Sequence, residues 1–197
     1  MKIIECDQYS EQWWQARLGV CTASTFKSVV TLKGEPSKSS KKLAYKLAGE
    51  FVAGKAEESY QSAAMARGSE MEAEAREFYN MVKGVEVQEV GFCLEEFGGA
   101  SPDGLVEEDG LIEIKCPIAS THVAYLLKVE SLEKDYFQQV QGQMLITGRK
   151  WTDLISYYPG IKPVIIRVER NEEFISKLRV ELKMVAQDVK DIVKKIK

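Results

Sequence analysis

Histidine is almost absent from this chain. His122 stands alone, so a histidine-rich metal cluster is excluded. A serine or cysteine nucleophile would have to share that one imidazole, and no nucleophile elbow lies near it. A solvated histidine at a helix start is the expectation. Paired cysteines are missing too. Cys6, Cys21, Cys93 and Cys116 form no C-x-x-C pair, which removes the spacing basis for a zinc or iron–sulfur site. They read as free, mostly buried thiols. No apolar run approaches the ~18 residues a membrane helix needs. The first residues turn polar too soon for a secretory signal, so a cytoplasmic location is the expectation. A basic excess is also lacking, since the net charge is −3. Nucleic-acid binders are usually basic. Any phosphate-binding surface must therefore be a local groove, because distant charges are screened at physiological salt.

What is present suits one α+β domain over residues 1–197, with a mixed central sheet flanked by helices. Ser10 can cap a short helix carrying Trp13, Trp14 and Arg17. Thr22 can cap a second, with Phe26, Val29 and Val30 on one side. Ser39 or Ser40 opens a third, with Leu43, Leu47 and Phe51 at helical spacing. The loop between them, residues 31–42, is rich in Gly, Pro, Ser and Lys and reads as exposed. Residues 61–80 make a fourth helix. VEVQEVGFCLEE then alternates and reads as one strand. SPDGLVEEDGLIEIKCP reads as a hairpin turning at Glu108-Asp109-Gly110. Helices near 118–128 and 134–147, strands near 151–158 and 163–169, and a long helix over 172–196 complete the chain.

The hairpin carries the chemistry. Asp103 opens one strand, and Glu113-Ile114-Lys115 lies in the other. Residues two apart share a face of a strand, so Glu113 and Lys115 point one way and Ile112 and Ile114 the other. Cross-strand pairing can bring Asp103 beside them. Two carboxylates and an ammonium in one small volume suit magnesium, which takes one or two carboxylates and keeps waters or phosphate oxygens. Such a metal polarises a phosphodiester and acidifies a bound water. E-x-K alone is a common surface pattern. The Ser-Pro-Asp-Gly opening at this spacing is far more specific.

S-P-D-G…E-I-K-C-P resembles the PD-(D/E)xK signature of restriction-endonuclease-like nucleases. With Cys116-Pro117 it is similar to the phage lambda exonuclease, or YqaJ-type viral recombinase, family. Three further segments agree in order: Arg17 to Ser24 (RLGVCTAS), Gly68 to Arg76 (GSEMEAEAR) and Gln138 to Gln141 (QQVQ). The resemblance implies a restriction-endonuclease-like fold and a magnesium-dependent 5′→3′ exonuclease on double-stranded DNA, with manganese able to substitute. It implies release of mononucleotides and a 3′ single strand for recombination. Asp103, Glu113 and the Ile114 carbonyl would ligate metal, and Lys115 would activate water. Glu72 would sit near a second metal, and Gln139 would position Lys115 or the nucleophile. Arg17 and Ser24 would bind the 5′-phosphate, with Lys33 a further basic candidate and Met65 near the strand-separating wedge. A ring-shaped homotrimer, a single-strand annealing partner and, for a phage protein, the host cytoplasm are also implied. A structure-specific endonuclease of this fold and a non-catalytic DNA-binding module are the alternatives. The intact Asp103, Glu113 and Lys115 argue against the second.

Two patterns point elsewhere. GEFVAGKA, Gly49 to Ala56, nearly fits a phosphate-binding P-loop, but Ala56 stands where a magnesium-binding Ser or Thr belongs. It reads instead as a helix end capped by Gly54. The last helix carries one apolar stripe, Leu178, Leu182, Val185, Val189, Ile192 and Ile196, expected to pack on its own domain.

Overall fold

Alternating apolar residues build a hairpin that carries Glu113 in its second strand and Asp103 at the entry of its first, and the other elements pack around it. The computed structural model describes residues 1–56 and 63–197, with 63–70 described by their backbone alone. The strands are β1 (Lys2–Ile4), β2 (Val87–Gln88), β3 (Phe92–Glu95), β4 (Gly98–Ala100), β5 (Gly104–Val106), β6 (Gly110–Lys115), β7 (Trp151–Ser156) and β8 (Val164–Glu169). The helices are α1 (Glu11–Arg17), α2 (Ser40–Ala53), α3 (Ala63–Lys83), α4 (Ala119–Leu127), α5 (Val129–Thr147) and α6 (Glu172–Ile196), with a 3-10 turn at Ala23–Ser28. The main sheet runs β2-β5-β6-β7-β8, parallel only between β6 and β7, and a small sheet runs β1-β3-β4.

The expected hairpin forms. β5 and β6 pair antiparallel with Gly104 opposite Ile112, so Asp103 and Glu113 are the next cross-strand neighbours. Arg149 clamps the turn, donating to the carbonyls of Val106, Glu107 and Gly110 at 2.7–3.0 Å. The two faces of β6 divide as its alternation predicts. Ile112 and Ile114 pack with Ala75 and Tyr79 of α3 in one core. Leu111 packs with Val140 and Met144 of α5 in the larger one. Glu113 and Lys115 share that second face.

The stretch read as one strand is two. Val87–Gln88 pairs with β5 in the main sheet, and Phe92–Glu95 pairs with β1 and β4 in the small one. The chain changes sheets through Gly91, where a Cβ would lie 2.4 Å from the Cys6 carbonyl oxygen. The helix expected after Thr22 is a 3-10 turn, and Thr22 makes no side-chain cap. Phe26, Val29 and Val30 are nonetheless fully buried. Ser10 caps α1 as expected, accepting from the Trp13 N–H at 3.2 Å. Gly54 ends α2 with φ 67°. Phe51, at helical spacing with the buried Leu43 and Leu47, is 48% exposed.

α6 buries Leu178, Leu182, Val185 and Val189, with Ile192 packed at the edge, while Ile196 is exposed. His122 is fully buried rather than solvated. Its ring meets Ser156 Oγ at 2.7 Å and the Lys162 carbonyl at 3.1 Å. The reason is tertiary: α4 lies over the end of β7, whose hydroxyl gives the ring a partner. Among the described residues no helix is long and apolar enough to cross a membrane.

Candidate active site

β6 carries the centre of the site, and α5 completes it. The Glu113 carboxylate is almost wholly buried. Its Oε1 accepts from Lys115 Nζ at 2.6 Å and from Gln139 Nε2 at 2.5 Å. Its Oε2 accepts from Gln143 Nε2 at 2.5 Å. A carboxylate offers about four lone-pair sites, so three donors leave Glu113 one acceptor position. Asp103 is fixed differently. Its Oδ2 accepts from the Ile114 N–H at 2.6 Å, tying the entry of β5 to β6. A strand residue's N–H and C=O point to the same side. The Ile114 carbonyl therefore faces Asp103 too, beyond the end of β5.

Charge crowding marks the site. Burial, and then the charge of Glu113, hold Asp103 well above the usual carboxylate range, with Lys115 opposing. Glu72, half-buried on α3, is also raised by burial, with Lys115 pulling it down and Glu113 pushing it up. Burial disfavours the Lys115 ammonium, but Glu113 and Asp103 outweigh that and raise it. The Lys115 ammonium also lies 4.9 Å from the Tyr136 ring centre. Beside it, burial pushes the Cys116 thiol up to about 12.

These residues fit a divalent cation. Among the described residues no three His, Cys, Asp or Glu side chains converge as a closed cage. Magnesium does not require one, since it keeps waters and shares ligands with a substrate phosphate. The available donors are oxygens: Asp103, the Ile114 carbonyl and the remaining position on Glu113. The mutual repulsion of Asp103 and Glu113 is what a cation between them would relieve.

The expected anion-binding residues form a second centre. The Arg17 guanidinium lies 3.9 Å over the Trp13 ring and donates to Ser101 Oγ at 3.4 Å and Thr22 Oγ1 at 3.5 Å. Thr22 Oγ1 is 3.3 Å from Ser24 Oγ. Burial lowers Arg17 to about 10, with Tyr9 and Glu50 opposing. A guanidinium fork and hydroxyls around a small hollow match a phosphate. The two centres adjoin, because Ser24 and Gln139 line one crevice with Lys27 and Tyr136. Gly142 permits this contact: a Cβ there would lie 2.2 Å from the Phe26 ring. On the other side a cleft of about 1330 Å³ runs between residues 5–15 and α3, with Glu72 and Asp103 on its wall.

Not every expected residue is placed there. Lys33 lies beside Lys177 of α6, whose ammonium reaches its carbonyl at 3.5 Å, and not in the Arg17 hollow. The side chain of Met65 lies outside the described residues. Four contributors escaped the sequence reading: Thr22 and Ser101 beside Arg17, Gln143 on Glu113, and Arg76. The Arg76 guanidinium reaches the Asp103 carbonyl at 3.2 Å and Glu89 at 2.9 Å. Gln143 had a signal, since it stands one helical turn after Gln139. Gln143→Leu is expected to lower activity about 10- to 100-fold, as losses of groups that orient metal ligands do. Steady-state kinetics on a linear duplex will check this.

The profile of the YqaJ-like viral recombinase domain matches residues 12–150. An alkaline exonuclease from Laribacter hongkongensis is 34% identical, covers 95% of this chain and 96% of its own, and superposes with a TM-score of 0.85. Its complex with dAMP gives the same values. A phage-related exonuclease from Haemophilus somnus 129PT, 15% identical over 90% of this chain and 96% of its own, shares the fold with a TM-score of 0.74. The curated proteins contain no match. The mixed sheet and flanking helices are those of the restriction-endonuclease-like fold. With the profile matching most of its length and an alkaline exonuclease overlaying nearly all of it, the chain belongs to the YqaJ-like viral recombinase family and is a nuclease of exonuclease type.

Proposed function

We propose that the chain hydrolyses duplex DNA from 5′ ends, using magnesium or manganese, and releases 5′-mononucleotides. The observation that carries this reading is the contact between the two centres. An anion hollow built by Arg17, Thr22 and Ser24 shares a wall, through Ser24 and Gln139, with the Asp103–Glu113–Lys115 cluster. An end-binding pocket beside a hydrolytic site is what counting from a terminus requires.

Asp103, the Ile114 carbonyl and Glu113 would hold the cation. Bound there, it would polarise the scissile phosphate and acidify a water. Lys115, kept cationic by its carboxylates, stabilises the negative charge that builds on the phosphate oxygens and orients the attacking water. Gln139 and Gln143 fix Glu113, and so fix Lys115. Glu72 supplies a further carboxylate on the cleft side. Water adds to phosphorus as the P–O3′ bond breaks. The products are a nucleoside 5′-monophosphate and a strand with a new 5′-phosphate. Each cut thus regenerates the group that Arg17 binds. The dAMP complex of the Laribacter enzyme is consistent with a mononucleotide product. A homotrimeric ring, a single-strand annealing partner and a role in recombination belong to the same reading and rest on the family. Enclosure of the duplex would let a chain of net charge −3 stay on DNA.

A linear duplex carrying a label at either end is the test. Stepwise loss from the 5′-phosphorylated strand, stopped by EDTA, is expected, with closed circular duplex left intact. Internal cuts would support an endonuclease of this fold, and metal-independent binding without cleavage a non-catalytic module. Either result overturns the proposal.

A further inference from the structure

The 3-10 turn at Ala23–Ser28 has two faces of different character. Three residues complete a turn of such a helix, so residues three apart stand one above the other. Ala23 and Phe26 make the buried face. Ser24 and Lys27 make the exposed one. Ser24 borders the Arg17 hollow through its contact with Thr22 Oγ1 at 3.3 Å. Lys27 stands one turn further along the same face.

That face looks across at α5. Ser24 and Lys27 line one wall of a narrow crevice, and Tyr136 and Gln139 line the other. Both α5 residues touch the hydrolytic cluster. Gln139 holds Glu113, and the Tyr136 ring centre lies 4.9 Å from the Lys115 ammonium. Among the described residues Lys27 is the one cation lining the crevice, and no described carboxylate pairs with it. Asp135, the carboxylate on the same crevice, is engaged by the Tyr125 hydroxyl at 2.9 Å. The crevice holds about 40 Å³, room for a water and not for a sugar. A nucleotide passing from one centre to the other therefore lies over its mouth, where the flexible stem of a lysine can follow it.

We propose that Lys27 serves the leaving group: its ammonium hydrogen-bonds to the 3′ oxygen of the terminal nucleotide and protonates it as the P–O3′ bond breaks. This rests on the nuclease reading above. The terminal nucleotide runs from its 5′-phosphate in the Arg17 hollow to its own 3′ oxygen at the scissile phosphorus, so it must cross the seam between the centres. In-line displacement puts the leaving oxygen opposite the attacking water. Lys115 orients that water from the cluster side. The 3′ oxygen then faces the seam, and Lys27 is the cation there. The electron pair of the broken bond stays on the 3′ oxygen, and the proton from Lys27 makes it a hydroxyl. The attacking water releases its proton to solvent, and the Lys27 amine takes one back.

The test pairs the Lys27→Met variant with a change of leaving atom. The variant removes the ammonium from an exposed position and keeps the apolar stem. Single turnovers at saturating DNA are compared on two 5′-phosphorylated duplexes. In one the first internucleotide linkage is ordinary, and in the other sulfur replaces its bridging 3′ oxygen. A thiol is far more acidic than an alcohol, so a thiolate departs without a proton donor. Lys27→Met is expected to be about 100-fold slower than the parent on the oxygen linkage, and within about threefold of it on the sulfur one, as loss of a positioned acid predicts. Equal losses on both linkages would mean that Lys27 only holds the substrate, and no loss on either that it takes no part. Both results refute the proposal and leave the nuclease reading standing. If the parent digests neither duplex, the nuclease reading falls and this proposal falls with it.

Discussion

Lys115→Ala is expected to reduce turnover on linear duplex by about 10³-fold, the scale of losing a group that serves both charge stabilisation and water orientation. The ammonium lies 2.6 Å from Glu113 and is kept protonated by the carboxylates around it. No other described cation contacts that carboxylate, so none can substitute. Single-turnover rates at saturating DNA will measure the effect, and near-parent rates would remove Lys115 from the site. Asp103→Asn makes the same point through stability. Asp103 binds a proton more readily in the fold than in the unfolded chain, because of burial and then Glu113. A group raised in this way favours the fold at low pH, and that contribution is lost as pH rises through its folded value. At neutral pH without metal, Asp103→Asn should therefore melt above the parent while losing cleavage. Thermal melts in EDTA will show it. A variant that melts below the parent would mean that its bond to the Ile114 N–H outweighs the repulsion.

Arg17→Ala is expected to lower kcat/KM on 5′-phosphorylated ends about 30-fold or more, in the range of losing charge-assisted hydrogen bonds to a phosphate. Ends carrying a 5′-hydroxyl should lose much less. The comparison matters because Arg17 also packs on Trp13 and bonds to Ser101. A purely structural loss would slow both ends equally, and that result would refute the pocket. Arg17→Lys keeps the charge but not the fork, so it should recover only part of the selectivity.

The reach of the sequence differs between these two centres. Asp103, Glu113 and Lys115 were legible because their geometry is local: a hairpin with period-two alternation fixes which side chains share a face. Gln139 came from family resemblance, and Gln143 one turn later was overlooked, since a glutamine on an amphipathic helix resembles a solvated one. Arg17 and Ser24 were named, but Ser101, which is 84 residues from Arg17, was not. No periodicity links such distant positions. Lys33 failed for the same reason: composition marks a basic loop, yet packing of that loop against α6 decides where it points. A lone histidine near a helix start with no nucleophile elbow beside it predicts a solvated ring at His122. Its burial comes from β7 and the Lys162 carbonyl.

By itself, then, the sequence determined the elements whose hydrophobic period is regular and the carboxylate–lysine cluster carried on one hairpin, because each depends on contacts between near neighbours in the chain. Tertiary structure alone decided the splitting of residues 85–96 between two sheets, the joining of the Arg17 hollow to Glu113 through Ser24 and Gln139, and the placing of Lys27 on the seam between them. Those features depend on which helix face meets which strand end, and close packing across the core settles that only when the whole chain is folded.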